Sequence, residues 1–198
     1  MLSSRNSLIL AGEIEDTPSF SHNTHDFTFM HFTLKVSRLS GTFDHINVLL
    51  DNNLIATTLH KGDFVEIEGE LRSYNNKSGI GNKLIICAYA KSIKFTSACF
   101  KNELLLGGTI CKSPIYRRTP LGREICDLFL AVNRRYSRTD YIPVIAWGKN
   151  AQCLSQLKVG ENIEISGRIQ SREYIKASDE NGIVHTVYEA SVSSIMLP

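Results

Sequence analysis

The chain of 198 residues has no run of eighteen consecutive apolar residues, about the length that a membrane-spanning helix needs, so no such helix is predicted. Its cysteines are odd in number, and none stands in CxxC spacing, so neither a structural zinc site nor a disulfide framework is predicted. This usage is typical of a reducing compartment, and we expect a cytoplasmic protein. The cysteines are Cys87, Cys99, Cys111, Cys126 and Cys153.

The sequence also lacks the short motifs of common enzymes. It has no GxxxxGK[ST] phosphate-binding loop and no HExxH zinc motif, and the GGT at 107–109 is not followed by a helix pattern. His22 and His25, with His31 nearby, lie in the polar segment 19–26 without a cysteine partner, which favours a solvated loop over a metal site. No nucleophile–base pair stands out. We therefore predict a protein that is not an enzyme and needs neither cofactor nor metal.

What the chain does contain is an internal repeat. NSLILAGEIEDTP from Asn6 aligns with NELLLGGTICKSP from Asn102, an offset of 96 residues that also pairs Arg38 with Arg134. With two residues inserted, KGDFVEIEGELRS in the first copy lies over VGENIEISGRIQS in the second. A period this long exceeds that of solenoid repeats, so each copy is predicted to be a domain. The predicted boundaries are 1–96 and 97–198.

Each copy reads as a series of alternating strands with a short helical stretch between the third and the fourth. This order is typical of the OB fold, so the prediction is an all-β chain of two tandem OB-fold barrels, each a five-stranded Greek key. The helical stretches are predicted within 52–62 and 149–160. The predicted strands are 8–15, 29–38, 46–50, 65–71 and 84–90, followed by 104–111, 125–133, 141–146, 163–169 and 184–193.

The two copies differ in charge and in aromatic residues. Residues 1–98 have nine basic and ten acidic residues, whereas residues 99–198 have thirteen basic and ten acidic ones. The arginines of the second copy fall in its loops, among tyrosines and the only tryptophan. Basic grooves interleaved with rings hold single-stranded nucleic acid by phosphate pairing and base stacking. The candidate contact residues are Tyr116, Arg117, Arg118, Arg123, Arg134, Arg135, Tyr136, Arg138, Tyr141, Trp147, Lys149, Arg172 and Tyr174, with Tyr74 from the first copy.

The first copy has His45 at the position of Tyr141 and Asp51 at that of Trp147. The sequence predicts that its other rings belong to the core, and that this copy either binds more weakly or serves as a scaffold. The rings predicted to be core are Phe27, Phe29, Phe32 and Phe64.

Three segments of the second copy, FLAVNRR (129–135), DYIPVIAWGKNA (140–151) and ISGRIQSREY (165–174), resemble the bacterial single-stranded DNA-binding protein family. The resemblance covers 102–195, and the first copy matches only through its similarity to the second. It implies an OB fold around which single-stranded DNA wraps. It also implies stacking roles for Tyr141, Trp147 and Tyr174. The hairpin tip at 135–139 is shorter than is usual in the family, and Tyr136 is the candidate for the fourth stacking position.

The resemblance further implies protection of single-stranded DNA during replication, recombination or repair. Family members present four barrels, so a chain with two is expected to form a homodimer. The family's acidic C-terminal tail, which recruits replication and repair enzymes, is expected to be missing, since the sequence stops at SSIMLP. Two alternatives stay open: a module for primosome or conjugation assembly with weak nucleic-acid binding, similar to primosomal replication protein, and an RNA-binding barrel.

Overall fold

The structure is a computed structural model that describes residues 5–55, 57–77, 82–134, 138–175 and 184–197. Its strands are β1 (Asn6–Ile14), β2 (Ser19–Thr24), β3 (Phe27–Ser37), β4 (Phe43–Asp51), β5 (Phe64–Asn75), β6 (Leu84–Phe95), β7 (Lys101–Arg118), β8 (Glu124–Asn133), β9 (Thr139–Trp147), β10 (Asn162–Ile175) and β11 (Val184–Met196). One α-helix, α1 (Lys149–Ser155), follows β9. None of the described helices is long and apolar enough to cross a membrane.

The chain forms two compact units. The N-terminal unit consists of Leu8–Asn102 together with Gln170–Tyr188. The C-terminal unit consists of Glu103–Ile169 together with the two chain ends, Met1–Ser7 and Glu189–Pro198. That residues 1–96 and 97–198 fold as independent domains stays a prediction.

Within the N-terminal unit the strands follow the order β1-β5-β6-β4-β3-β2, and an additional pairing of β1 with β3 closes the sheet into a barrel. All these pairings are antiparallel except that of β4 with β6, in which Val48 lies opposite Ala88. The strand β2 extends the hairpin beyond the barrel and pairs only with β3 among the described strands. The result is the five-stranded closed barrel that the sequence predicts.

The C-terminal unit repeats this plan, with the order β10-β11-β9-β8-β7 and closure by β10 on β7. In its parallel pairing, that of β9 with β11, Val144 lies opposite Ala190. The strand β7 runs through the segment that is divided into β1 and β2 in the other unit, with register shifts between Ile110 and Ile115. The all-β, tandem OB-fold prediction is therefore confirmed.

Strand alternation places one face of each strand inside its barrel. On β8 the residues Leu128, Leu130 and Val132 are buried, whereas the alternate positions lie on the outer face. Each buried aliphatic side chain of this size contributes about 1.5–3 kcal/mol. Closure requires a residue without a side chain at the point where β5 and β10 bend. A Cβ at Gly69 would lie 2.1 Å from the Tyr89 carbonyl oxygen. The repeat-related Gly167 would meet the oxygen of its own facing strand at 2.0 Å.

A buried ion pair recurs in both units at the repeat-related positions. Arg38 donates to Asp44 from Nε at 2.9 Å and from Nη2 at 2.5 Å, and Asp44 is fully buried. Arg134 makes the same two-bond contact with Asp140, which is also fully buried. Each pair joins the two strands of one hairpin, because Arg38 follows β3 and Arg134 follows β8. A buried carboxylate requires such a partner, so the pair stabilises the hairpin of each barrel.

Three predictions for the first copy are wrong in detail. Only a single 3-10 turn, Asn52–Leu54, stands where a helix was expected, because Asp51 accepts the Asn53 amide and the chain then turns extended at Ile55. The polar segment 19–24 is a strand and not a loop, since it pairs with β3.

The third error concerns the rings expected in the core. Phe32 is buried as predicted, but Phe27 is 49% exposed, while Phe29 and Phe64 are half-buried on the outer face. The reason is strand parity, because β3 and β5 each place alternate residues on opposite faces, and Phe64 begins β5.

Candidate nucleic-acid interface

The outer face of β8 and β9 displays two rings of the C-terminal unit. Tyr141 is 49% exposed and lies opposite Ala131, whereas Trp147 is 40% exposed and lies opposite Ile125. Both project to the same side because they are an even number of residues apart on β9, about 20 Å along the strand. Single exposed rings are common on protein surfaces, whereas several of them gathered on one face are typical of an interaction site.

A third ring lies between them and was missed by the sequence reasoning. Phe129 lies opposite Pro143, between the positions of Tyr141 and Trp147 on this face. The Lys112 ammonium stands 4.5 Å from the centre of the Phe129 ring, a cation–π contact that places a positive charge beside the rings. Alternation along β8 could have found Phe129, since it shares parity with Ala131. The face of Tyr141, Phe129 and Trp147 is called the ring strip below.

The hairpin that joins β7 to β8 places basic side chains next to the ring strip. Arg117 pairs with Ile125, which itself pairs with Trp147, so the three lie side by side on adjacent strands. The Arg117 Nε donates to an Asp127 carboxylate oxygen at 2.8 Å, although half of the arginine side chain stays exposed. Arg117 therefore already has an anionic partner, for which a phosphate must compete.

Arg118 and Tyr116 share one carboxylate on the same hairpin. The Tyr116 hydroxyl donates to Glu124 Oε1 at 2.6 Å, and Arg118 Nη2 donates to the same oxygen at 3.1 Å. The hydrogen bond from Tyr116, with further ones from Gln152 and Arg118, holds the pKa of Glu124 below its usual range. Glu124 is consequently ionised at neutral pH and neutralises part of the charge of this hairpin in the unbound protein.

Three more predicted contact residues are exposed in the C-terminal unit. Arg123 precedes β8, Arg138 precedes β9, and Lys149 begins α1 directly after the ring strip. Their positions at strand ends leave the charged groups in solvent, where they can approach a phosphate without breaking the core.

Arg134 differs from these residues, because its guanidinium is bonded to the buried Asp140 and its side chain is only 16% exposed. This ion pair gives Arg134 a structural role. A direct contact of Arg134 with DNA stays a prediction, and the pairing with Asp140 does not favour it.

The remaining predicted residues either lie outside the described residues or belong to the N-terminal unit. Arg135 and Tyr136 lie outside the described residues. Arg172 is exposed on the part of β10 that belongs to the N-terminal unit, and Tyr174 follows it there, although its side chain is not described. Tyr74 is half-buried on β5, where its hydroxyl oxygen accepts from the Cys87 thiol at 3.8 Å. Whether these residues contact a ligand stays a prediction.

A metal-dependent site finds no support in the part of the chain that the structure describes, where no three His, Cys, Asp or Glu side chains converge as metal ligands. The features of the described interface are instead rings and guanidinium groups, which suit a flat, anionic polymer.

Comparisons with known proteins agree with this chemistry. The model of the Single-strand binding protein family matches residues 101–197. The Single-stranded DNA-binding protein of Clostridium tetani is 40% identical over 80 residues, which are 37% of this chain and 55% of that protein. The chain thus spans little more than half of that relative. Single-stranded DNA-binding protein 1 of Clostridium acetobutylicum is 37% identical over 81 residues, which are 37% of this chain and 74% of that protein.

Among solved structures, the wild-type single-stranded DNA binding protein from Thermus aquaticus matches both units. The match has a TM-score of 0.80 and covers 99% of this chain and 94% of that chain, at 22% sequence identity. At this identity the likeness shows the fold, a tandem arrangement of two barrels in one chain.

Proposed function

The chain belongs to the single-strand binding protein family, and we propose that it binds single-stranded DNA with little sequence preference. The observation that supports this most directly is the ring strip. Tyr141 and Trp147 are both exposed, and both lie on one barrel face. Stacking on rings is tolerant of sequence because every base has a π-face, and each stacked base contributes about 1–3 kcal/mol.

Phosphate contacts supply the second part of the proposed binding. The exposed guanidinium and ammonium groups of Arg123, Arg138 and Lys149 are placed to approach the strand backbone, with Arg117 and Arg118 on the adjoining hairpin. Each neutralised phosphate releases condensed counterions, so affinity should fall as the salt concentration rises. Because Arg117 and Arg118 hold carboxylates in the unbound protein, they contribute less than fully solvated arginines would.

The biological role proposed with this activity is protection of single-stranded DNA in the cytoplasm during replication, recombination or repair, without catalysis. Two barrels in one chain favour a homodimer with four barrels. Sedimentation velocity or light scattering tests this part, and a mass of one chain at micromolar concentration would contradict it.

Titration of the intrinsic fluorescence with oligo-dT tests the binding itself. Trp147 is the only tryptophan, so its emission reports on the ring strip alone. We expect strong quenching at low salt and a steep loss of affinity between about 50 and 200 mM salt. Emission that oligo-dT leaves unchanged at low salt would refute the proposal. In that case recovery of a helicase or helicase loader would point to an assembly module instead.

A ring-for-ring control separates stacking from general packing. Tyr141→Phe keeps a ring at this exposed position, whereas Tyr141→Leu keeps apolar volume without one, so only the second change should weaken binding. Fluorescence anisotropy of a labelled oligo-dT measures both variants. Tyr174→Leu and Tyr174→Phe form the same test for the stacking role that is proposed for Tyr174.

A further inference from the structure

The N-terminal unit has its own pair of stacked rings on the outer face of the β2–β3 hairpin. His22 and Phe29 lie opposite each other across the two strands, with ring centres 4.9 Å apart and planes inclined by only 15°. Tyr89 on β6 stands beyond Phe29, with its ring centre 6.2 Å away at 44°. The three rings are called the hairpin platform below. It forms by tertiary pairing, since its members come from three different strands.

The exposed end of the platform is His22. Phe29 is half-buried, whereas His22 is exposed, so a planar ligand arriving from solvent meets the imidazole first. A hydrogen bond between the Ser21 hydroxyl and His22 Nδ1, at 3.0 Å, holds the ring in its orientation. Histidine rings serve as stacking partners for unpaired bases, as phenylalanine and tyrosine do. A base placed on His22 would continue the stack of His22 on Phe29, which Tyr89 contacts at a tilt.

The charges around the platform do not oppose such a ligand strongly. Asp51 lies opposite Phe29 on β4, but its carboxylate accepts the Asn53 amide at 2.9 Å. Glu70 is bridged by both Arg72 and Lys91, and the Arg72 guanidinium stands 5.2 Å from the centre of the Tyr89 ring. Glu70 is therefore balanced by its two cation partners, whereas Asp51 stays anionic opposite Phe29, and stacking is the main resource of the platform.

We propose that the hairpin platform is a second base-stacking site for single-stranded DNA, on the copy that has His45 and Asp51 at the positions of Tyr141 and Trp147. This inference rests on the proposed function. It differs from the ring strip in its members and in its electrostatics, because its rings come mainly from the hairpin and the cations described beside it, Arg72 and Lys91, are both paired with Glu70. The N-terminal unit would then lengthen the bound strand without adding much salt dependence.

Photo-cross-linking tests the site directly. An oligonucleotide of about 40 nucleotides, long enough for several barrels at 4–16 nucleotides each, is prepared with 5-iododeoxyuridine in place of thymidine and irradiated with the intact protein. Mass spectrometry should locate cross-links on His22, Phe29 or Tyr89, in addition to the C-terminal unit. Cross-links confined to the C-terminal unit would overturn the inference.

Affinity measurements give the matched comparison. His22→Ala and Phe29→Leu should each weaken binding of the same length of oligo-dT by about fivefold or more, as expected for one lost stacked base. Phe20→Leu is the control, because Phe20 is 58% exposed on the same hairpin but lies opposite Met30, on the alternate parity. Equal affinity of all three variants and the wild type would contradict the platform.

Two further readouts distinguish the possible failures. The slope of log affinity against log salt should not change in His22→Ala, whereas loss of a phosphate contact would reduce it by about one unit. Quenching of Trp147 by oligo-dT should persist in both platform variants, since that ring is on the other unit. Persistent quenching with no cross-link to the platform would refute the platform alone, whereas absence of quenching in the wild type would refute the proposed function.

Discussion

The cross-strand pair of Ile125 and Trp147 in one barrel and that of Phe29 and Asp51 in the other occupy the same place in the repeat. In the first pair the ring is that of Trp147 on β9, the later strand of the hairpin. In the second pair the ring is that of Phe29 on β3, the earlier strand. The backbone register is the same, so the difference lies in side chains alone. A comparison of single positions finds that Asp51 of the N-terminal unit replaces the ring of Trp147. The paired strands show in addition that a ring, Phe29, lies on the opposite strand of the hairpin.

The comparison teaches that the two barrels share a framework and differ in surface chemistry. The framework is expressed by the buried pairs Arg38–Asp44 and Arg134–Asp140 and by the close approaches at Gly69 and Gly167. The surfaces are a ring strip beside exposed basic side chains in one unit, and in the other a platform whose cations Arg72 and Lys91 are paired with Glu70. Four experiments test this division, from the largest expected effect to the smallest.

Removal of the shared ion pair should have the largest effect. Arg134→Ala leaves the fully buried Asp140 without its guanidinium partner, which should cost about 3–5 kcal/mol of unfolding free energy. Arg38→Ala should cost a similar amount through Asp44 if the framework is common to both units. Urea unfolding followed by circular dichroism measures both, with Arg168→Ala, an exposed arginine on β10, as the control within about 0.5 kcal/mol of wild type.

Loss of the tryptophan ring should have the next largest effect, and it should appear in DNA binding with little change in stability. Trp147→Leu should weaken oligo-dT binding by about 1–3 kcal/mol, since one stacked base loses its partner. Trp147→Phe keeps a ring and should retain most of the affinity. Anisotropy of a labelled oligonucleotide is the measurement, and equal affinities of the Leu variant and the wild type would remove Trp147 from the interface.

Release of an arginine from its carboxylate should strengthen binding. Glu124→Gln removes the anion that Arg118 and Tyr116 share, so affinity for oligo-dT should rise by about two- to fivefold, the range expected for one exposed pair. The control is Glu103→Gln, which removes the same charge from an exposed position on β7 before the hairpin. An equal gain from both variants would indicate a general charge effect.

Thiol reactivity should show the smallest effect, one of rate alone. Burial raises the pKa of the Cys126 thiol to about 11, and it also raises the pKa of the Cys111 thiol. Since the thiolate is the reactive form, iodoacetamide at about pH 8.5 should modify the exposed Cys99 and Cys153 first. Peptide mapping follows the order.

The raised pKa of Cys126 also determines the direction in which the stability of the fold changes with pH. A folded-state pKa raised above the ordinary value of 9.0 means that Cys126 stabilises the fold fully below that pH and loses this contribution as the pH rises through about 11. Modification of Cys126 as fast as Cys153 near pH 8.5 would show that this barrel opens readily.

Much of the fold was predictable from the chain alone, because the repeat and the alternation along strands are local signals. The tandem barrels and α1 followed from them. The helix expected at 52–62 was not found, since the Asp51 carboxylate caps a single 3-10 turn there. Local helical pattern is a weak prior that such contacts override.

Two barrels of common design, the rings of β9 and the basic hairpin beside them could be inferred from the sequence alone. The reason is that the alternation of strand residues depends on consecutive positions in the chain. The tertiary structure decided which charged side chains form ion pairs and which rings contact each other. Arg134 is held by a buried carboxylate, and Arg118 by an ionised one on the surface. His22 and Phe29 stack because β2 pairs with β3 across a register shift, a contact that depends on which strands become neighbours and not on the identity of either residue alone.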